Sequence, residues 1–180
     1  MRNRFYSRDL GVILNDLKQA APLPYEAVLV SNIEKRMGSE DTAGKLVLRY
    51  DSQPVPVKPL LEELLVSLLL QQEPGLPIQL HVPPESISVQ ADPFFLKEVL
   101  MLIFHYLADQ LRGEPVRIYL TRGEENCIVE IEVPVVVTTK LSDSVITLCR
   151  RLLQDMNSEL VYTGGGDAGT YFSLKLLLSA

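Results

Sequence analysis

Residues 92–111 constrain this chain more than any other stretch. Asp92 followed by Pro93 is a helix-start signal: a capping carboxylate, then a ring whose φ already suits the first helical turn. Behind it Leu96, Val99, Leu100, Ile103, Phe104, Leu107 and Leu111 recur at i, i+3 and i+4. A helix with that stripe needs a core to lie against. The chain can supply one, since 47% of its 180 residues are hydrophobic and 22% charged. That is the composition of a packed domain and not of a disordered tail. The length suits one ordinary domain, or a small domain with a helical appendage.

The signals change character near Gly44. Ahead of it, Leu10, Ile13, Leu14 and Leu17 predict a helix over 5–20 that stops before Pro22 and Pro24. Val28, Leu29, Ile33 and Met37 predict a second over 25–37, closed by Gly38. Two helices joined by a short proline-containing turn read as a hairpin. Leu10, Ile13, Leu14, Leu17, Val28, Leu29 and Ile33 form apolar stripes at bundle spacing, and a second copy is their expected cover. Residues 1–44 are thus read as a dimerisation hairpin, two copies making a four-helix bundle. Residues 45–180 are read as the second domain. Strands are predicted over 45–50, 78–82, 116–121, 127–133, 160–163 and 170–178. Helices are predicted over 57–72, from Asp92 onward, and from Ser142 or Asp143 to about Met156. The class is therefore α+β: a helical hairpin, then a two-layer α/β sandwich with a mixed, mostly antiparallel sheet and helices on one face.

Charge and composition exclude several functions. With 17 basic and 23 acidic residues the net charge is −6, which argues against nucleic acid or an anionic membrane as a partner. The longest apolar run, Leu64 to Leu70, is interrupted by Ser67 and falls far short of the roughly 18 residues of a membrane span. No apolar stretch follows Arg2 and Arg4, so no secretory signal is expected and the location is read as cytoplasmic. Cys127 and Cys149 lack metal-ligand spacing, and two histidines with two cysteines leave no set for structural zinc. Gly164-Gly165-Gly166 leads into a strand and not to a lysine and a helix, so it reads as a hairpin turn. His81 reads as a solvent-facing edge residue. His105 reads as an i,i+4 partner of Asp109 on a wet helix face, and Cys149 as a small core hydrophobe.

Several strings, in this order, resemble the C-terminal half of bacterial sensor histidine kinases. They are Gly44 to Leu65 (GKLVLRYDSQPVPVKPLLEELL), the helix Asp92 to Leu111, Leu148 to Leu160 (LCRRLLQDMNSEL), and Gly166 to Leu177 (GDAGTYFSLKLL). The resemblance covers most of residues 44–180. It implies a dimerising hairpin followed by an ATPase domain of the histidine-kinase type, shared with heat-shock chaperones, gyrase and mismatch-repair proteins.

At each place where that family carries its chemistry, this sequence departs. The resemblance places Tyr106 at the helix asparagine that holds Mg²⁺ on ATP, and Leu102 one turn earlier; leucine offers no oxygen to a hard cation and a neutral phenol is a poor ligand. The family's adenine-reading Asp-x-Gly-x-Gly loop has no counterpart, because no glycine occurs between Ile131 and Ser142. The lid between the glycine boxes is short. Asp143-Ser144-Val145-Ile146 stands where glycines would let backbone amides approach phosphate, so Asp143 and Val145 belong with Leu102 and Tyr106 as degenerate pocket positions. Tyr106 is expected to fill the vacated space beneath segment 134–141. Ser7-Arg8-Asp9-Leu10 is the nearest match to the family's phosphoacceptor string, with Arg8 at the histidine, and no histidine precedes His81. Arginine cannot serve as a phosphoryl nucleophile. No catalytic residue, metal or cofactor is therefore expected. The expected role is a pseudo-histidine kinase: a homodimer acting by contact with a response regulator, a kinase or another regulatory protein. The rival readings are a working kinase or phosphotransferase with unusual ligands, and an anti-sigma-type switch protein on the same sandwich.

Overall fold

The computed structural model describes residues 7–19, 23–37, 48, 50–69, 77–111, 113–133, 141–166 and 169–179. Its first elements are the helices α1 (Ser7–Gln19) and α2 (Pro24–Arg36). Pro24 opens α2 at a position that needs no N–H donor. Glu26 reaches back so that its Oε2 accepts from the Leu23 amide at 3.0 Å, satisfying a donor the helix start leaves free.

The sandwich contains α3 (Val57–Leu69), α4 (Pro93–Gln110) and α5 (Asp143–Gln154) over a sheet. Strands β2 (Ile78–His81), β4 (Val116–Arg122), β5 (Asn126–Val133), β6 (Glu159–Gly166) and β7 (Gly169–Leu177) form that sheet in the order β2-β4-β5-β7-β6. Among the described strands only β2 and β4 pair in parallel; the other neighbours in this sheet are antiparallel. Val116, Ile118, Val129, Ile131, Phe172 and Leu174 alternate onto the buried face toward the helices, as period-2 patterning requires. The hairpin, mixed sheet and helix placement agree with the class read from the sequence.

Two strands differ from expectation. Of the strand expected over 45–50, only Leu48 and Tyr50 lie within the described residues; Leu48 makes an isolated bridge to Met37 and Tyr50 lies outside any strand. A strand that was not expected, β1 (Gln53–Pro56), pairs antiparallel with the equally unexpected β3 (Ser88–Ala91). Two prolines in four residues argue against a strand, yet the register accommodates them. Val57 donates from its amide to the Ile87 carbonyl, so odd-numbered residues bond toward β3. Pro54 and Pro56 fall on the alternate positions, where no N–H is required. The ribbon joins the main sheet through a Val89–Leu178 bridge and a Ser179 amide bonded to the Ser88 carbonyl.

Asp92 holds these parts in register. It is buried, and its Oδ1 accepts from the Phe94 and Phe95 amides at 2.9 and 3.3 Å, capping α4. Its Oδ2 accepts from the Asp51 amide at 2.7 Å, fixing the segment that enters β1. One carboxylate thus serves three backbone donors. Asp92→Ala should cost about 2 kcal/mol or more, a lost cap plus a stranded donor. Asp92→Asn keeps an acceptor and should lose less than half as much. Urea unfolding of both variants checks this, and parental stability in Asp92→Ala would show that water replaces the carboxylate.

Candidate functional site

Any pocket of the kind the resemblance implies would lie where α4 and α5 meet the sheet. Tyr106 and Leu102 project from α4 and are 1% and 2% exposed; Val145, in the first turn of α5, is fully buried. The Tyr106 ring packs edge-on against Phe172 with centroids 6.1 Å apart, and Phe172 stacks on Tyr162 at 4.8 Å. The Tyr106 and Tyr162 hydroxyls are 3.5 Å apart. Burial pushes the Tyr106 phenol well above its ordinary range, and its contact with Tyr162 pushes further the same way. The ring therefore fills the interior between α4 and the β6–β7 pair. It was expected beneath segment 134–141, of which residues 134–140 lie outside the described residues.

The start of α5 is occupied from within the chain. Ser142 caps it by accepting from the Val145 amide at 3.2 Å. Its hydroxyl also points at the Glu26 Oε1, 3.5 Å away. Glu26 is 4% exposed, so a carboxylate from α2 is buried at the helix end where backbone amides favour negative charge. Asp143, exposed, adds a second carboxylate in the same first turn. Neighbouring burial pushes the Cys149 thiol up to about 12, with Glu26 adding to the rise. Burial alone takes Cys127 to about 12. Both are inert core thiols at neutral pH.

The hairpin lies on its own sandwich, with α1 against α5 and α2 against α4. Of the residues expected to meet a second copy, Leu10, Leu14, Leu17, Leu29 and Ile33 are buried within one chain. Ile13 is partly buried against the same core, and Val28 is 58% exposed. Sequence spacing identified the buried stripes but not their cover. Asn32 and Glu98 tie the two helices directly, the Asn32 Nδ2 donating to the Glu98 Oε2 at 3.0 Å.

His81 lies exposed on the edge strand β2, stacked on Tyr119 at 4.8 Å. His105 is half-buried and not fully wet, and burial pushes its pKa down. Arg150 donates from Nε to the Leu160 carbonyl at 3.2 Å, and Arg151 pairs with Asp155 at 3.1 Å. Arg8 lies in α1, and the glycine run 164–166 ends β6 ahead of β7. Among the described residues no three His, Cys, Asp or Glu side chains converge as a metal site, and no helix is long and apolar enough to cross a membrane.

No protein-family model and no curated protein matches the chain. Solved structures do. The histidine kinase AdeS of Acinetobacter baumannii superposes over 95% of this chain and 94% of its own, with TM-score 0.63 and 14% identity. A histidine kinase from Burkholderia phymatum matches over 97% and 93%, with TM-score 0.63 and 13% identity. The ATP-binding domain of PrrB from Mycobacterium tuberculosis covers 72% of this chain and 99% of itself, with TM-score 0.57 and 16% identity. The chain has the histidine-kinase ATPase-type fold. At such identities the likeness is one of fold, and chemistry has to be argued from the side chains.

Those side chains predict the effect of restoring an asparagine. Tyr106→Asn removes a buried ring, which costs roughly 3–5 kcal/mol, and leaves a buried amide beside Phe172 at a further cost of about 1–3 kcal/mol. Lower stability without gain of ATP binding is expected by chemical denaturation and calorimetry. Tyr106→Phe should lose at most about 1 kcal/mol. Parental melting of Tyr106→Asn would mean that the ring is not packed as described.

Proposed function

We propose that this chain is a non-catalytic histidine-kinase-fold protein that signals through protein–protein contact. Its partner would be a response regulator, a kinase or another regulatory protein of a two-component or transcriptional circuit. One observation carries the reading: the positions that would face nucleotide are occupied by the chain itself. Leu102, Tyr106 and Val145 are buried in apolar packing, and Glu26 lies with Ser142 at the start of α5. Leu102 and Val145 offer no oxygen to Mg²⁺, the neutral Tyr106 phenol is a poor ligand, and the buried Glu26 carboxylate opposes phosphate. Arg8, at the place of a phosphoacceptor histidine, cannot carry a phosphoryl group.

The experiment is calorimetry with ATP and Mg²⁺ up to millimolar concentration, with a phosphotransfer assay beside it. A dissociation constant weaker than about 100 µM is expected, equivalent to less than roughly 5.5 kcal/mol of binding. Tighter binding, or phosphate transfer to His105 or His81, would favour the kinase or phosphotransferase instead.

Homodimerisation through the hairpin belongs to the same proposal. The stripes of α1 and α2 are covered by α5 and α4 of their own chain, so the dimer we propose exchanges hairpins: each docks on its partner's sandwich and makes the same contacts in trans. Sedimentation at tens of micromolar should then give a dimer that Ile33→Asp dissociates or unfolds. A folded wild-type monomer at that concentration overturns the dimer and leaves the nucleotide prediction standing.

A further inference from the structure

The cleft between α2 and α4 has a volume of about 480 Å³, inside the range of small-molecule sites. An eight-residue helix, about 12 Å long and 10 Å across, would occupy roughly 900 Å³, so the space suits a small molecule and not a partner's helix. Pro24, Val28 and Leu29 wall it from the hairpin; Met101 and Leu102 wall it from the sandwich. Tyr106, Asp143 and Val145 are not among its lining residues, so it is a different place from the packed interior around Tyr106.

Three observations define what it would hold. Its walls are apolar, and Val28 among them is exposed; a ligand laid against them removes that surface from water. The charges at the cleft cancel, Lys97 against Glu98, and each is already engaged within the chain. The Lys97 Nζ lies 2.6 Å from the Glu63 Oε1, and the Glu98 Oε2 accepts from Asn32 at 3.0 Å. An ionised ligand would give up its water and meet both signs of charge together. His105 supplies the third feature. Burial pushes its pKa down, so at pH 7 the imidazole is neutral, with one N–H donor and one acceptor nitrogen.

We propose that this cleft binds an uncharged, mainly apolar small molecule that carries one neutral hydrogen-bonding group. Its apolar body lies between Val28 and Leu29 on one side and Met101 and Leu102 on the other, and its polar group meets the His105 imidazole. Such a ligand touches hairpin and sandwich together, so it stabilises their docking by mass action. In a dimer that exchanges hairpins, the same cleft forms between α2 of one protomer and α4 of its partner. The site is independent of whether the chain binds ATP.

The test uses the full chain and three matched probes that share a ring and differ in charge. They are naphthalene-2-carboxamide, naphthalene-2-carboxylic acid and naphthalen-2-ylmethylamine, which at pH 7 are neutral, anionic and cationic. Titration by two-dimensional NMR or calorimetry should give saturable, one-to-one binding of the carboxamide in the sub-millimolar range. The acid and the amine should each bind at least about five-fold more weakly. His105→Leu should weaken the carboxamide by about five-fold. Met101→Trp should fill the cleft and abolish binding; Val28→Trp, at an exposed position, serves the same purpose if the first variant does not fold. No saturation at millimolar concentration, either ion binding as tightly as the carboxamide, full affinity in His105→Leu, or binding that survives the tryptophan in a folded variant overturns the proposal.

Discussion

Helix α4 is apolar on almost every side, and most of the architecture follows from covering it. Phe95, Leu96, Val99, Leu100, Leu102, Ile103, Phe104, Tyr106 and Leu107 are all buried. Ahead of its last residue, Gln110, its polar residues Lys97, Glu98, His105 and Asp109 fall on one stripe at helical spacing. A surface helix would show a far wider polar face. The sheet can cover one side only, so α3, α5 and α2 must close the others. Burying leucine or phenylalanine side chains gains about 1.5–3 kcal/mol each, which makes an uncovered α4 untenable. Within one chain the hairpin supplies part of that cover, with α2 against α4 and α1 against α5.

Much of this was legible because local signals agreed with one another. Asp92-Pro93 announced α4, and the side chain performs the capping its position implied. Ser142 does the same for α5. Strands β4, β5 and β7 alternate cleanly because one face lies on the helices and the other faces out. The β1–β3 ribbon was not legible. Gln53-Pro54-Val55-Pro56 reads as a breaker, and only the bonding parity set by its partner makes the two prolines harmless. Four-residue strands also carry too few positions for a period to stand out.

The candidate site was legible in what its residues cannot do and illegible in what they touch. Leu102, Tyr106 and Val145 could be read as poor ligands from chemistry alone. That Tyr106 packs on Phe172 and Tyr162 is a tertiary fact joining residues more than fifty positions apart. The hairpin illustrates the same limit. Periodicity says that Leu10, Leu14, Leu17, Leu29 and Ile33 share buried faces, but an apolar stripe is non-directional and does not name its cover. The chain's own helices and a second copy are equally good solvents for leucine. Nothing in the sequence marks Glu26; its meeting with Ser142, 116 residues away, depends on where α2 docks.

That meeting decides how the start of α5 treats an anion. A helix N-terminus favours negative charge by roughly 0.3–1 kcal/mol, and up to about 2 kcal/mol in partly buried geometry. Here Ser142 already takes the Val145 amide, and Glu26 lies behind it. A phosphate arriving about 5 Å from either Glu26 or Asp143 would meet a repulsion of about 1–3 kcal/mol from each, across effective dielectrics from bulk water to protein surface. Two such terms exceed the attraction the helix end can offer. The balance reverses only if the hairpin leaves, carrying Glu26 with it, since Asp143 alone is exposed and screened. Hairpin docking and anion affinity at α5 are thus coupled in opposite directions through a single carboxylate on α2.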